Sequence, residues 1–190
     1  MNKVTIYYAT TNVGKWDEVQ RYFAKHEPTV QLKQFNEEVE EIQSFDQKKI
    51  ALEKANTAWK MLKKPLIIDD SATYFAHYNN FPGTLTKFVY FGIGYEGLLR
   101  LAEPDNRCTR RLYLVYKENE TEYQMFEGEC QGLVVPPRGP ELPSKLPYDA
   151  IFQPLGETKT MAELRGTEEE VKYSYRLQAI KNFLGWWKEK

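Results

Sequence analysis

The chain has 190 residues, enough to bury a sizeable core, and its 26 basic and 27 acidic side chains leave a formal net charge of −1. That balance offers no positive surplus for gripping a nucleic-acid backbone, so DNA and RNA polymers are excluded as partners, whereas a small anion needs only a local cluster of donors. Cys108 and Cys130 have no metal-ligand spacing and cannot found a disulfide framework, and no apolar run reaches the length of a membrane span or a secretory leader. One domain over residues 1–190, cytoplasmic and without a membrane partner, is expected.

Val4–Ala9 is β-branched and aromatic throughout, which predicts a strand buried on both faces of a largely parallel sheet. The polar residues Thr10, Thr11 and Asn12 end it. From Gly14 onward Trp16, Val19, Tyr22 and Phe23 share one face of a helix, with Asn12 or Thr11 as its cap. A second helix is predicted over 46–61, with Ile50, Ala51, Ala55, Ala58 and Trp59 inward and Lys63, Lys64 and Pro65 closing it. A short buried strand at 66–68 follows and ends in Asp69 and Asp70. Residues 112–116 and 123–126 flank a polar turn at 118–120 and read as a hairpin, with 133–135 as a further strand. The proline-dense stretch 136–147 predicts a long ordered loop, and a last helix over 174–187 aligns Leu177, Ile180, Phe183, Leu184 and Trp187.

Three groups of residues could carry chemistry. Asn12, Gly14 and Lys15 lie between a strand and a helix, where backbone N–H groups and the helix dipole attract phosphate and a lysine adds a point charge. The spacing is not that of a P-loop, and a capped helix with an exposed lysine fits the same residues. Asp69 and Asp70 follow an apolar strand, where open α/β sheets place ligand chemistry and where magnesium finds carboxylates; capping and solvation account for such acids equally well. Glu37, Glu38, Glu40 and Glu41 form an acidic run that could supply another metal ligand or simply be solvated. Tyr148 and Asp149, with Ser174, Tyr175 and Arg176, provide a ring, a carboxylate and a guanidinium suited to a purine pocket, or an aromatic core contact beside a surface arginine. His26 and His77 have no partners at catalytic or metal spacing.

Taken in order, these segments resemble the inosine triphosphate pyrophosphatase family, which hydrolyses non-canonical purine nucleoside triphosphates to monophosphate and pyrophosphate. The resemblance rests on Thr10, Asn12 and Lys15; on Asp69-Asp70-Ser71 with Phe81-Pro82-Gly83; on Pro137-Arg138-Gly139; on the run from Tyr148 and Asp149 to Pro154; on Thr160 to Leu164; and on Ser174-Tyr175-Arg176. It implies an elongated mixed α/β sheet with flanking helices, and two lobes around a central nucleotide-binding cleft where Lys15, Asp70 and Arg176 converge. Thr10, Thr11, Asn12 and Lys15 would hold the triphosphate, with Ser71 beside them. Asp70 would bind Mg2+, or Mn2+, and position or deprotonate the attacking water. Asp69 and Glu41 would complete the metal environment. Tyr148, Asp149, Ser174 and Arg176 would face the base. The chain departs from the family pattern at Leu146, where a pocket aromatic is usual, at Tyr175, where a histidine is usual, and near Glu170, where a lysine is usual and Lys172 lies close by. A nucleotide-binding protein of the same fold with altered base specificity or lost turnover is the alternative. The resemblance also implies a homodimer formed after Phe81-Pro82-Gly83, where Phe88, Tyr90 and Phe91 equally suit a core.

Overall fold

The computed structural model describes residues 4–140 and 146–190. Strand β1 (Val4–Ala9) buries Ile6, Tyr8 and Ala9. Asn12 then caps α1 (Val13–His26), its side chain accepting from the Lys15 backbone N–H at 3.0 Å. Strand β2 (Val30–Phe35) lies parallel to β1 with Ile6 opposite Leu32. Asp46 caps α2 (Gln47–Leu62) by accepting from the N–H groups of Lys48 and Lys49, and left-handed Lys63 closes it.

The expected short strand at 66–68 is the first part of β3 (Leu66–Phe75), so the acid pair sits inside a strand rather than at its end. Its first residues pair in parallel with β1, Tyr8 opposite Ile67. Its last residues pair antiparallel with β4 (Pro82–Gly83), Tyr74 opposite Pro82. Two different partners thus keep the backbone extended through a polar stretch whose side chains show no strand pattern. The hairpin strands are likewise longer than expected, β5 spanning Arg107–Lys117 and β6 spanning Tyr123–Val134; residues 133 and 134 continue β6 rather than forming a separate strand. The strands follow the order β2-β1-β3-β5-β6-β7 in one sheet, with β4 against β3 and β7 spanning Phe152–Pro154. This is the mixed α/β sheet with flanking helices that the sequence implies.

The chain divides into two compact units. One comprises Met1–Asp70, Leu112–Gly128 and Arg176–Lys190. In it Ala51, Ala55 and Ala58 of α2 pack on Leu66, Ile68 and Val115, the small side chains letting the helix lie close to the sheet. Helix α6 (Tyr175–Glu189) contributes Phe183, whose ring lies 5.3 Å from that of Tyr116 and 5.7 Å from that of Phe126.

The other unit comprises Ser71–Arg111 and Glu129–Tyr175. Its core gathers Phe75, Leu98, Ala102, Val134, Tyr148, Phe152, Met161 and Leu164. Helix α3 (Thr86–Ala102), which the aromatic stretch did not announce, bends at Gly94, where φ is 61°. It buries Leu98 and Ala102 but leaves Phe88 and Phe91 58% and 70% exposed, so those two rings are not core. Two single-turn helices follow, α4 (Met161–Leu164) and α5 (Glu170–Tyr173), the first closed by a reciprocal Thr160–Glu163 cap. The loop expected over 136–147 is irregular through residue 140; residues 141–145 lie outside the described residues.

Candidate active site

The loop after β1 is ordered by its own hydrogen bonds. Thr10 Oγ1 accepts from the Asn12 N–H at 3.1 Å, and the Thr10 carbonyl accepts from Gln34 Nε2 at 2.8 Å. No acidic side chain occupies the first turn of α1 to neutralise its dipole, so the end that carries Lys15 stays attractive to anions. Thr11 is exposed beside it.

Lys15 Nζ reaches Asp69 Oδ1 at 2.5 Å. The other oxygen of Asp69 accepts from the Tyr8 hydroxyl and from Arg176 Nε at 2.9 Å, and Arg176 Nη1 continues to Glu18 Oε2 at 2.7 Å. Arg176 and Asp69 are almost wholly buried. Burial alone would raise the Asp69 carboxyl, but the charges of Lys15 and Arg176 outweigh it and hold the group ionised, well below the usual carboxylate range. Burial pulls the Lys15 ammonium below its ordinary value against the attraction of Asp69. Asp69 is therefore a hub that fixes two cations, and both its oxygens are engaged.

Asp70, the next residue, is different. Its backbone carbonyl accepts from Gln47 Nε2 at 3.1 Å, yet side-chain Oδ2 is buried with no hydrogen-bond partner among the described residues. Burial raises its pKa, with Lys54 and Lys15 pulling the other way. Lys54 pairs with the Glu41 carboxylate and donates to the Asp69 carbonyl at 3.2 Å. An orphaned, desolvated carboxylate oxygen near Glu41 and two lysines has the chemistry of a divalent-cation ligand. Among the described residues no three His, Cys, Asp or Glu side chains could hold a metal ion. A magnesium that takes one or two carboxylates and completes its shell with water and substrate phosphate fits these residues.

In the second unit the turn at Pro147–Ala150 presents Asp149, which is wholly buried. Its Oδ1 accepts from Arg110 Nη1, and Oδ2 accepts from Arg165 Nε at 2.7 Å. Burial opposes ionisation, but Arg165 and Arg110 hold the carboxyl down at about 2. Arg165 Nη1 also donates to Glu170 Oε1 at 2.9 Å. The Arg110 guanidinium lies 4.7 Å from the Tyr175 ring centroid and 5.5 Å from that of Phe152.

Because the folded pKa of Asp149 lies below the unfolded value near 3.9, its ion pairs stabilise the fold above about pH 4, and this is lost as pH falls toward 2. Asp149→Asn is expected to lose less stability than the wild type between pH 5 and 2.5, by on the order of 2 kcal/mol in urea titrations. Equal losses would show that Asp149 does not carry this acid sensitivity.

Tyr148 is buried and donates to the Thr86 carbonyl at 2.9 Å, Ser174 is buried, and Leu146 precedes the turn. Lys172 is exposed, 4.7 Å from the Tyr173 ring, and Ser71 is half-buried at the start of the second unit. The first unit thus brings together Asn12, Lys15, Glu41, Asp69, Asp70 and Arg176. Tyr8, Glu18, Arg110 and Arg165 were missed. Arg110 had a readable signal, since it occupies the inward register of Cys108, Leu112 and Leu114 in β5.

The sequence profile of the Ham1 family matches residues 6–186. A dITP/XTP pyrophosphatase of Methanopyrus kandleri is 34% identical over 186 residues, covering 96% of both chains. An inosine triphosphate pyrophosphatase of Yarrowia lipolytica is 31% identical, covering 95% of this chain and 96% of its own. A HAM1 protein from Coxiella burnetii shares the fold with a TM-score of 0.78 at 24% identity, over 98% of this chain and all of that one. No helix among the described residues is long and apolar enough to cross a membrane.

Proposed function

The chain belongs to the Ham1 family, and from that membership we propose that it hydrolyses non-canonical purine nucleoside triphosphates to nucleoside monophosphate and pyrophosphate with a divalent cation. The observation that carries the reading is the buried, unpartnered Asp70 oxygen close to Lys15 and Lys54.

Mg2+, or Mn2+ with the same oxygen preference, would be held by Asp70 with Glu41 and would neutralise phosphate charge and acidify a water. Lys15, with Thr10, Thr11 and Asn12 at the start of α1, binds the triphosphate through ammonium and backbone N–H groups. Asp70 orients the attacking water and takes its proton. Asp69 acts through Lys15, which it holds at the start of α1, and its other oxygen accepts from buried Arg176. The water oxygen forms the new bond to phosphorus, the α–β anhydride bond breaks, and pyrophosphate leaves with its charge met by Lys15.

A panel of nucleoside triphosphates assayed for pyrophosphate with Mg2+, with Mn2+ and with EDTA tests the reading. Release with either cation and none with EDTA is expected; tight nucleotide binding without turnover would select the alternative of a non-hydrolysing binder. We further propose that two copies associate through the exposed Phe88 and Phe91 of α3. Sedimentation equilibrium should give a dimer, and a monomer at all concentrations would refute it.

A further inference from the structure

We propose that Tyr116, Trp186 and Trp187, with the Glu118 carboxylate, form a binding site for a small quaternary or methylated ammonium ion, which Lys190 occupies as an internal stand-in. All five residues belong to the first unit, and none takes part in the site described above. Tyr116 lies at the end of β5, Glu118 opens the turn that follows, and the tryptophans lie near the end of α6.

The three rings are steeply inclined to one another. Tyr116 meets Trp186 at 5.6 Å and 53°, and Trp187 at 5.4 Å and 74°; the two tryptophans meet at 6.4 Å and 56°. Lys190 Nζ lies over all three faces, 5.8 Å from the Tyr116 centroid, 5.5 Å from Trp186 and 5.9 Å from Trp187. Each separation is within the roughly 6 Å at which the negative face of a ring attracts a cation. The same ammonium pairs with Glu118. One positive charge thus meets three ring faces and a carboxylate, the set of partners that an alkylammonium cage requires.

Tyr116 is buried and backed by Phe183, while the tryptophans are half-buried. The Tyr116 hydroxyl is buried with no hydrogen-bond partner among the described residues. Burial and the charges of Glu118 and Glu122 push its pKa up, so a second carboxylate bears on this ring. A buried polar group without a partner calls for an explanation. A ligand carrying an acceptor beside its cationic nitrogen would supply the missing partner.

Lys190 holds this place weakly. Its side chain and that of Glu118 are 40% and 34% exposed, and an ion pair so open to solvent adds little stability. A primary ammonium is also strongly hydrated. A quaternary ammonium carries the same charge with no N–H groups to desolvate, and its methyl groups contact the ring faces directly, so it gains more from the cage than Lys190 does. Lys188 and Glu189, which follow the tryptophans, are exposed and charged and supply no apolar pockets for the flanks of a peptide. The occupant is therefore a free small cation rather than a methylated side chain of another protein.

The test titrates choline, and the neutral alcohol in which carbon replaces its nitrogen, into wild type and Lys190→Ala, followed by the tryptophan indole N–H signals in NMR. Choline should bind Lys190→Ala at least about threefold more tightly than wild type, because the cage is no longer filled from within. The neutral alcohol has the same shape without the charge and should bind at least about tenfold more weakly than choline. Adding Trp186→Ala to Lys190→Ala should weaken choline about tenfold or more. Trp186→Phe should fall between, and it carries the comparison if the alanine variant does not fold. Equal binding of choline and the neutral alcohol, or no choline binding by folded Lys190→Ala, would overturn the cage. Equal choline affinity in wild type and Lys190→Ala would overturn Lys190 as its occupant. A trimethyl-lysine peptide that binds where choline does not would refute a free cation.

Discussion

Asp70→Asn is expected to lower kcat by about 10^2–10^4-fold, the range for removing a positioned general base, with the loss of metal-binding charge adding to it. The same substitution should leave the metal-free fold as stable as the wild type or slightly more so. Burial raises the Asp70 pKa, so its ionised form costs stability above the normal carboxylate range and the metal-free wild type weakens as pH rises through the folded value. An amide of equal size carries no charge to desolvate. Mg2+ should raise the melting temperature of the wild type and not of the variant, since a ligand stabilises only the state that binds it. A variant that unfolds without metal, or that keeps wild-type turnover, would remove Asp70 from the centre of the mechanism.

Arg176→Met is expected to be the most damaging single change to the fold. Arg176 is buried between Glu18 and Asp69, and removing it leaves two buried carboxylates short of a cation. Breaking a buried pair in this way costs about 3–5 kcal/mol, or roughly a 6–20 °C fall in melting temperature for a chain of this size. The pH dependence separates this cause from simple loss of packing. With Arg176 present the Asp69 pKa is depressed, so its contribution is present above about pH 4 and lost below. Without it Asp69 and Glu18 protonate more readily, and the gap between variant and wild type should narrow from pH 7 toward pH 4.5. Adding Glu18→Gln should recover part of the loss. A gap independent of pH would assign the effect to packing.

The parts legible in the sequence were those set by local rules. The β-branched run of β1, the Asn12 cap and the 3.6-residue spacing of α1 and α2 each act within a few residues, and all three elements form where the pattern places them. Helix α3 was hidden because Gly92, Gly94 and Gly97 and a run of aromatics blur its periodicity; burial of Leu98 and Ala102 against a distant core decides it. The full length of β3 was hidden because Asp69, Asp70 and Ser71 look like a strand end, while pairing with β1 and then β4 keeps them extended.

The same division runs through the site. Asn12 and Lys15 are local, and the spacing of their loop suits a phosphate grip or a bare cap; the contact of Lys15 with Asp69 on another strand follows from no local rule. Arg110 and Arg165 pair with Asp149 across 39 and 16 residues of chain, and no spacing rule connects them. Asp69 has both oxygens bound, to Lys15, Tyr8 and Arg176, while Asp70 keeps one buried oxygen without a hydrogen-bond partner among the described residues. Burial and partner geometry separate two adjacent aspartates that the sequence presents as a pair.

Chromatographic identification of the products formed from inosine triphosphate and Mg2+ tests the central claim most directly. Inosine monophosphate and pyrophosphate in equal amounts, absent with EDTA and absent with Asp70→Asn, are predicted. Inosine diphosphate with orthophosphate, or unchanged nucleotide with folded protein, would contradict it.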